Sequence, residues 1–202
     1  MTTFYLIRHA ERIGAQDALV GRAPGFSLSE RGRAQAQRVA DWLAVKKIDH
    51  VYTSPVTRAV ETAAAIATAA GVSVQTDDDL HEVNFGEWTG KTFGELESDA
   101  AWKRFNLLRG PARAPDGETL VEVQMRMVSA LYRLNEAHPN HGVVVVSHAD
   151  PLKAALAFFS GIPLALFDRL EVGLASVSVL RLDGWNLRIE CVNTQVAAED
   201  QM

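Results

Sequence analysis

Cysteine is almost missing from this sequence. The 202 residues contain one, Cys191, so the chain can form no disulfide within itself and no cysteine-rich zinc site. That suits a reducing compartment, and a cytoplasmic protein is expected. Long apolar runs are missing too. No stretch approaches the roughly 20 residues of a membrane span, and the short run 4–7 has no basic segment before it to make it a secretory signal. Positive charge is in deficit, at a formal net charge of -5. Nucleic acid is therefore not expected as a partner, because it needs a basic surface to displace its counterions. What remains is ordinary. A chain that is 48% hydrophobic and 22% charged has a globular rather than a disordered composition. Its length fits one domain, 1–202, with room for a small insertion.

The hydrophobic pattern alternates between strands and helices. Phe4, Tyr5, Leu6 and Ile7 read as a buried strand that runs into Arg8-His9. Residues 10–27 lack periodicity and hold three glycines and a proline, so they read as a long loop, a kind that is commonly functional. Ser29 and Glu30 open a helix. Residues 50–53 suggest a second strand, and Ser54-Pro55 a helix start, proline fitting the first helical position; Gly71 ends that helix. Residues 77–118 are irregular, with two short helices expected between Phe93 and Leu108, and read as an insertion. Thr119 and Glu122 form a capping box ahead of an amphipathic helix. Residues 143–146, four valines, carry the mark of a central strand covered on both faces. They end at Ser147-His148, and a further helix runs from Asp150 to Gly161. Two closing strands follow, 175–182 and 187–192. This order implies an α/β domain: three layers, α/β/α, around a mostly parallel central sheet, with 77–118 as a small inserted cap.

Two histidines, His9 and His148, therefore follow strands directly. In open α/β sheets, ligands bind beyond the carboxyl ends of the strands. Arg8 precedes His9, and Arg58 lies in the first turn of the helix beyond a second strand, where backbone N–H groups also favour an anion. Taken singly, each of these residues is more often structural. Together, two guanidinium groups and two imidazoles at strand ends suit a phosphoryl group.

The segments that carry these residues resemble a known family. Leu6-Ile7-Arg8-His9-Ala10-Glu11 is similar to its Arg-His-Gly-Glu signature, and Leu28-Ser29-Glu30-Arg31-Gly32 to the segment that follows it. Tyr52-Thr53-Ser54-Pro55 with Arg58, Leu80-His81-Glu82 with Phe85-Gly86-Glu87-Trp88, Asp116-Gly117-Glu118-Thr119 and Val146-Ser147-His148 match later blocks in order. The chain resembles the histidine phosphatase, or phosphoglycerate mutase-like, superfamily over nearly its whole length.

The resemblance implies that His9 attacks phosphorus and becomes phosphohistidine. It implies that Arg8, Arg58 and His148 hold the phosphoryl oxygens, and that Glu82 is the general acid. Glu87 and Glu11 compete for that last role, although Glu11 is rather expected to orient neighbours of His9. Gly21, Arg22 and Ala149 are expected at the substrate's periphery. No metal and no cofactor is implied.

The sequence departs from the family pattern at Ala10, Ala149 and Asp150, where glycines are usual. It departs also at Ala15, where many members carry an asparagine that donates to phosphate. Hydrolysis of small phosphorylated metabolites, sugar or glycerate phosphates, is expected ahead of phosphoglycerate mutase activity, because the cap is short. A non-catalytic phospholigand-binding regulatory module is the remaining alternative. Arg22, or one of Arg12, Lys103, Arg104, Arg109 and Arg113, is expected to meet a second anionic group of the substrate. The oligomeric state is left open, a homodimer included.

Overall fold

A computed structural model describes residues 1–14, 17–184 and 186–196; Ala15 lies outside the described residues. Six strands form one sheet in the order β3-β2-β4-β1-β5-β6. They are β1 (Thr2–Arg8), β2 (His50–Thr53), β3 (Val74–Thr76), β4 (Gly142–Ser147), β5 (Val177–Asp183) and β6 (Asn186–Thr194). The first four in spatial order pair in parallel. β5 runs against β1 and β6, so one strand of the six opposes the rest. The helices are α1 (Glu30–Ala44), α2 (Thr57–Ala70), α3 (Phe93–Glu97), α4 (Ala100–Leu107), α5 (Leu120–Ala137) and α6 (Ala149–Ser160).

Alternation along the central strands sorts the core into two layers. Ile7 of β1 and Val144 and Val146 of β4 pack with Ala36, Val39 and Leu43 of α1 and with Ala63 and Ile66 of α2. Phe4, Leu6, Val143 and Val145 point the other way, onto Met127 and Leu131 of α5 and Leu152 and Leu156 of α6. All four valines of β4 are fully buried, as a strand covered on both faces requires. A third apolar cluster lies in the region after β3. Val83, Phe85, Trp88, Leu96 and Phe105 pack together and rest on Leu120 and Val123 of α5 and Ala157 of α6.

The helix ends follow local chemistry. Ser29 caps α1 by accepting from the Gly32 N–H. Thr119 and Glu122 form a full capping box on α5. Gly71 and Gly161 close α2 and α6 in the left-handed conformation. Two features depart from the sequence expectation. α2 begins at Thr57 with Val56 as its cap, two residues later than Ser54-Pro55 suggested, because the buried Ser54 side chain is engaged by His148. β3 was not expected; it has three residues on an edge and buries none of them fully, so it carries no hydrophobic pattern.

Candidate active site

Three neighbouring strands deliver the chemistry to one place. Arg8 of β1 lies opposite Ser147 of β4, so the next residues, His9 and His148, stand side by side with ring centroids 5.1 Å apart. On the other flank of β4, Thr53 of β2 pairs with Val146. The chain beyond it buries Ser54 against His148 and places Arg58 in the first turn of α2.

Arg58 links the two imidazoles. Its Nε donates to His9 Nε2 at 3.1 Å, and its Nη2 lies 2.9 Å from the Gly21 carbonyl and 3.0 Å from His148 Nδ1. These contacts set the tautomers. His9 Nδ1 lies 2.8 Å from the Ala10 carbonyl, which can only accept, so Nδ1 carries the proton and Nε2 keeps the lone pair that accepts from Arg58. In His148, Nδ1 accepts from Arg58, and Nε2 donates to Ser54 Oγ at 2.8 Å. Burial, and after it the Arg58 charge, hold His9 well below the usual imidazole range. Burial and the neighbouring His9 do the same to His148. Both rings are therefore neutral at pH 7. Burial lowers the Arg58 guanidinium to about 10, which leaves it a cation. Arg8 donates from Nη1 to the Val172 carbonyl at 2.8 Å. Arg8 Nε and Arg58 Nη1 are buried donors with no acceptor among the described residues, a rare and costly state for a charged group.

Glu82 completes the group. Its Oε2 lies 3.8 Å from His148 Nδ1, and its Oε1 accepts from the Val83 N–H. Burial, then the nearby charge of Asp150, pushes its carboxyl up to about 7. The segment that carries it is pinned from behind. Arg22 Nε and Arg126 Nη2 both donate to the Glu82 carbonyl, at 2.7 and 3.1 Å. Arg126 Nη1 donates to the Asp79 carbonyl. Both guanidinium groups bond to the Glu118 carboxylate, which also accepts from the Asn84 N–H. Gly117 permits this approach: a Cβ there would stand 2.2 Å from the Asn84 carbonyl oxygen.

The cleft has a volume of about 620 Å³. Arg8, His9, Gly21, Arg58 and Glu82 line it, with Arg12, Arg109 and Asp150 as further charged groups and Phe85, Phe93 and Trp102 on the side of the 77–118 segment. Glu87 is exposed and away from it, so position leaves Glu82 without that competitor. Glu11 lines the wall, but its carboxylate bonds to Ser29 Oγ and pairs with Arg31. It braces the start of α1 rather than His9. Arg22 does not line the cleft, because Glu118 and the Glu82 carbonyl hold its guanidinium. Ala149 starts α6 and is likewise not in the wall. Lys103 and Arg104 are exposed, and Arg113 pairs with Glu122. Arg12 and Arg109 are the cap and loop cations that reach the cleft. Glu118 and Arg126 escaped sequence reasoning as parts of the site; the Asp116-Gly117-Glu118 motif was their only signal.

Comparison with known proteins agrees with this geometry. Residues 4–195 match the histidine phosphatase superfamily (branch 1). Phosphoserine phosphatase 1 of Hydrogenobacter thermophilus is 32% identical over 91% of this chain and 88% of its own. The mycobacterial glucosyl-3-phosphoglycerate phosphatase superposes with a TM-score of 0.83 at 26% identity, over 95% of this chain and 98% of that one. Phosphoserine phosphatase from Entamoeba histolytica, in complex with 3-phosphoglyceric acid, gives 0.84 at 25% identity, over 96% and 98%. Fold, cleft and relatives converge: the chain is an enzyme of the histidine phosphatase superfamily, branch 1, and phosphomonoester hydrolysis is its reaction class.

Proposed function

We propose that the chain hydrolyses small phosphorylated metabolites through a phosphohistidine on His9. Among the described residues three buried guanidinium nitrogens lack an acceptor, and the observation that carries this reading is that two of them, Arg8 Nε and Arg58 Nη1, belong to side chains that line the same cleft as a neutral His9. A phosphoryl group gives those donors the acceptors they lack. His9 Nε2 attacks phosphorus in line, and the bond from phosphorus to the ester oxygen breaks. Positive charge growing on the ring is offset by the Nδ1–H bond to the Ala10 carbonyl. Glu82, protonated because its carboxyl titrates at about 7, gives its proton to the departing oxygen. The carboxylate left behind takes a proton from water. The resulting hydroxide attacks phosphorus, the P–N bond breaks, and inorganic phosphate leaves. Arg8 and Arg58 hold the non-bridging oxygens throughout, and His148, its one N–H given to Ser54, positions Arg58 through Nδ1; the reading needs no metal.

Residues 77–118 serve in this reading as a cap that limits the substrate to metabolite size. Phe85, Phe93 and Trp102 face its organic part, and Gly21 presents its backbone at the edge. The second anionic group of a substrate such as a glycerate phosphate meets Arg12 or Arg109, not Arg22. His9 and Glu82 line one cleft, with His148 fully buried beside both, which favours turnover over a binding module. The lone thiol of Cys191 fits a reducing, cytoplasmic setting; among the described residues no helix is long and apolar enough to cross a membrane.

The test is phosphate release from a panel of phosphomonoesters, with EDTA present, for the wild type and His9→Ala. Turnover that survives chelation and disappears in the variant is expected. Equal rates in the two proteins overturn the assignment, and isomerised phosphoglycerate without free phosphate replaces hydrolysis by mutase chemistry.

A further inference from the structure

Three of the six histidines lie at the opposite end of the sheet. His50 is the first residue of β2, His138 follows the last turn of α5, and His141 immediately precedes β4. The six residues of β4 separate this edge from His148 by about 15–20 Å of strand. His50 Nε2 and His141 Nδ1 are 3.0 Å apart. The His138 ring stacks on His50 with centroids 3.7 Å apart. One ring nitrogen from each of the three lies within 4.8 Å of the other two. All three side chains are half-buried, so the group is shielded but still reachable from solvent.

We propose that His50, His138 and His141 form a binding site for a divalent transition metal ion, zinc above all. Imidazole nitrogens suit zinc, copper and nickel rather than magnesium or calcium, which prefer oxygen. Two nitrogens on a tetrahedral zinc ion stand about 3.3 Å apart, close to the spacing of His50 Nε2 and His141 Nδ1. Without a metal, that contact needs a proton on one nitrogen. A metal takes both lone pairs and moves the proton to the far side of one ring, which costs no charge. Partners at the next layer suit the role. Tyr52 Oη bonds to His138 Nε2 at 2.8 Å and orients that ring, as outer groups do around metal-bound histidines. Asp49, one residue before His50, accepts from the Gly142 N–H beside His141 and brings a negative charge to the cluster. A small rotation of the His138 ring gives the third ligand, and water fills the fourth position. Such an ion ties β2, α5 and β4 together at an edge that takes no part in the phosphoryl chemistry.

The experiment uses the full-length, untagged protein, stripped with EDTA and titrated with zinc chloride. One equivalent of zinc is expected to bind and to raise Tm, since a ligand that binds the folded chain stabilises it. His50→Gln and His141→Gln should each weaken zinc binding at least about tenfold, the loss that removal of even an outer partner produces, while turnover measured without zinc stays at the wild-type rate. Imidazole nitrogen NMR of the unmutated chain gives an answer that needs no variant: zinc should shift the His50, His138 and His141 signals. If zinc shifts only His9 and His148, or binds both variants as it binds the wild type, or does not bind, the proposal falls.

Discussion

The two ends of the sheet use the same side chain for opposite purposes, and their neighbours make the difference. At the carboxyl ends of the strands, His9 and His148 are buried and bridged by the Arg58 cation. At the other edge, His50, His138 and His141 touch one another and Tyr52. A guanidinium among imidazoles makes a cradle for an anion. Imidazoles with a phenol and a carboxylate nearby make one for a cation. What a histidine does in this fold is set by the charge that the adjacent strand or helix sends to it, not by its own place after or before a strand.

The comparison can be broken most sharply at the proton donor. Glu82→Gln should lower kcat about 10²–10⁴-fold on alkyl phosphates, the range of general acid catalysis, and far less on an aryl phosphate whose leaving oxygen needs no proton. The sign of the pH dependence follows from the raised carboxyl. Glu82 is protonated below about 7, so kcat/KM on alkyl phosphates should fall as pH rises through that value. The variant should lack this descending limb, and a limb that persists in it would assign the titration to another group.

Next in size is the bridging cation. Arg58→Lys keeps the charge but loses the planar fork that reaches His9, Gly21 and His148 together. A fall in kcat of about 10²-fold is expected, the cost of losing one well-placed donor to a developing oxyanion. Single-turnover kinetics should show it in formation of the phosphoenzyme. If lysine serves equally well, a point charge is sufficient and the fork geometry has no role.

The smallest effect tests the support behind Glu82. Glu118→Gln removes the charge that holds Arg22 and Arg126, so the carbonyl contacts that fix Glu82 loosen. A loss of about tenfold in kcat is expected, below the roughly 10²-fold that an ångström of misplacement can cost. The alkaline limb should move with it, since Glu82 changes its surroundings. A purely structural role would lower Tm and leave the pH profile where it was.

Much of this was legible in the sequence because it repeats locally. The four valines of β4, the Thr119–Glu122 capping box and the Gly71 and Gly161 stops are read within a few residues. Strand ends carrying Arg8-His9 and Ser147-His148 point to a crevice by their pattern alone. What failed to show depends on contacts between distant segments. Arg22 has the composition of a substrate-binding cation, yet Glu118, 96 residues away, had already engaged it. Ser54-Pro55 has the look of a helix start, but Ser54 is taken by His148, 94 residues away. The three-histidine cluster is invisible for the same reason. Only His138 and His141 are near each other in the chain, and nothing local says that β2 brings His50 to them.

The contact between Arg58 Nε and His9 Nε2 has one more consequence. The lone pair that attacks phosphorus is occupied in the resting protein by a hydrogen bond from the very group that a phosphoryl oxygen will claim. For His9 to attack phosphorus that hydrogen bond has to open, so the proposed reaction needs Arg58 Nε to let go of the ring while the guanidinium takes up phosphoryl oxygens.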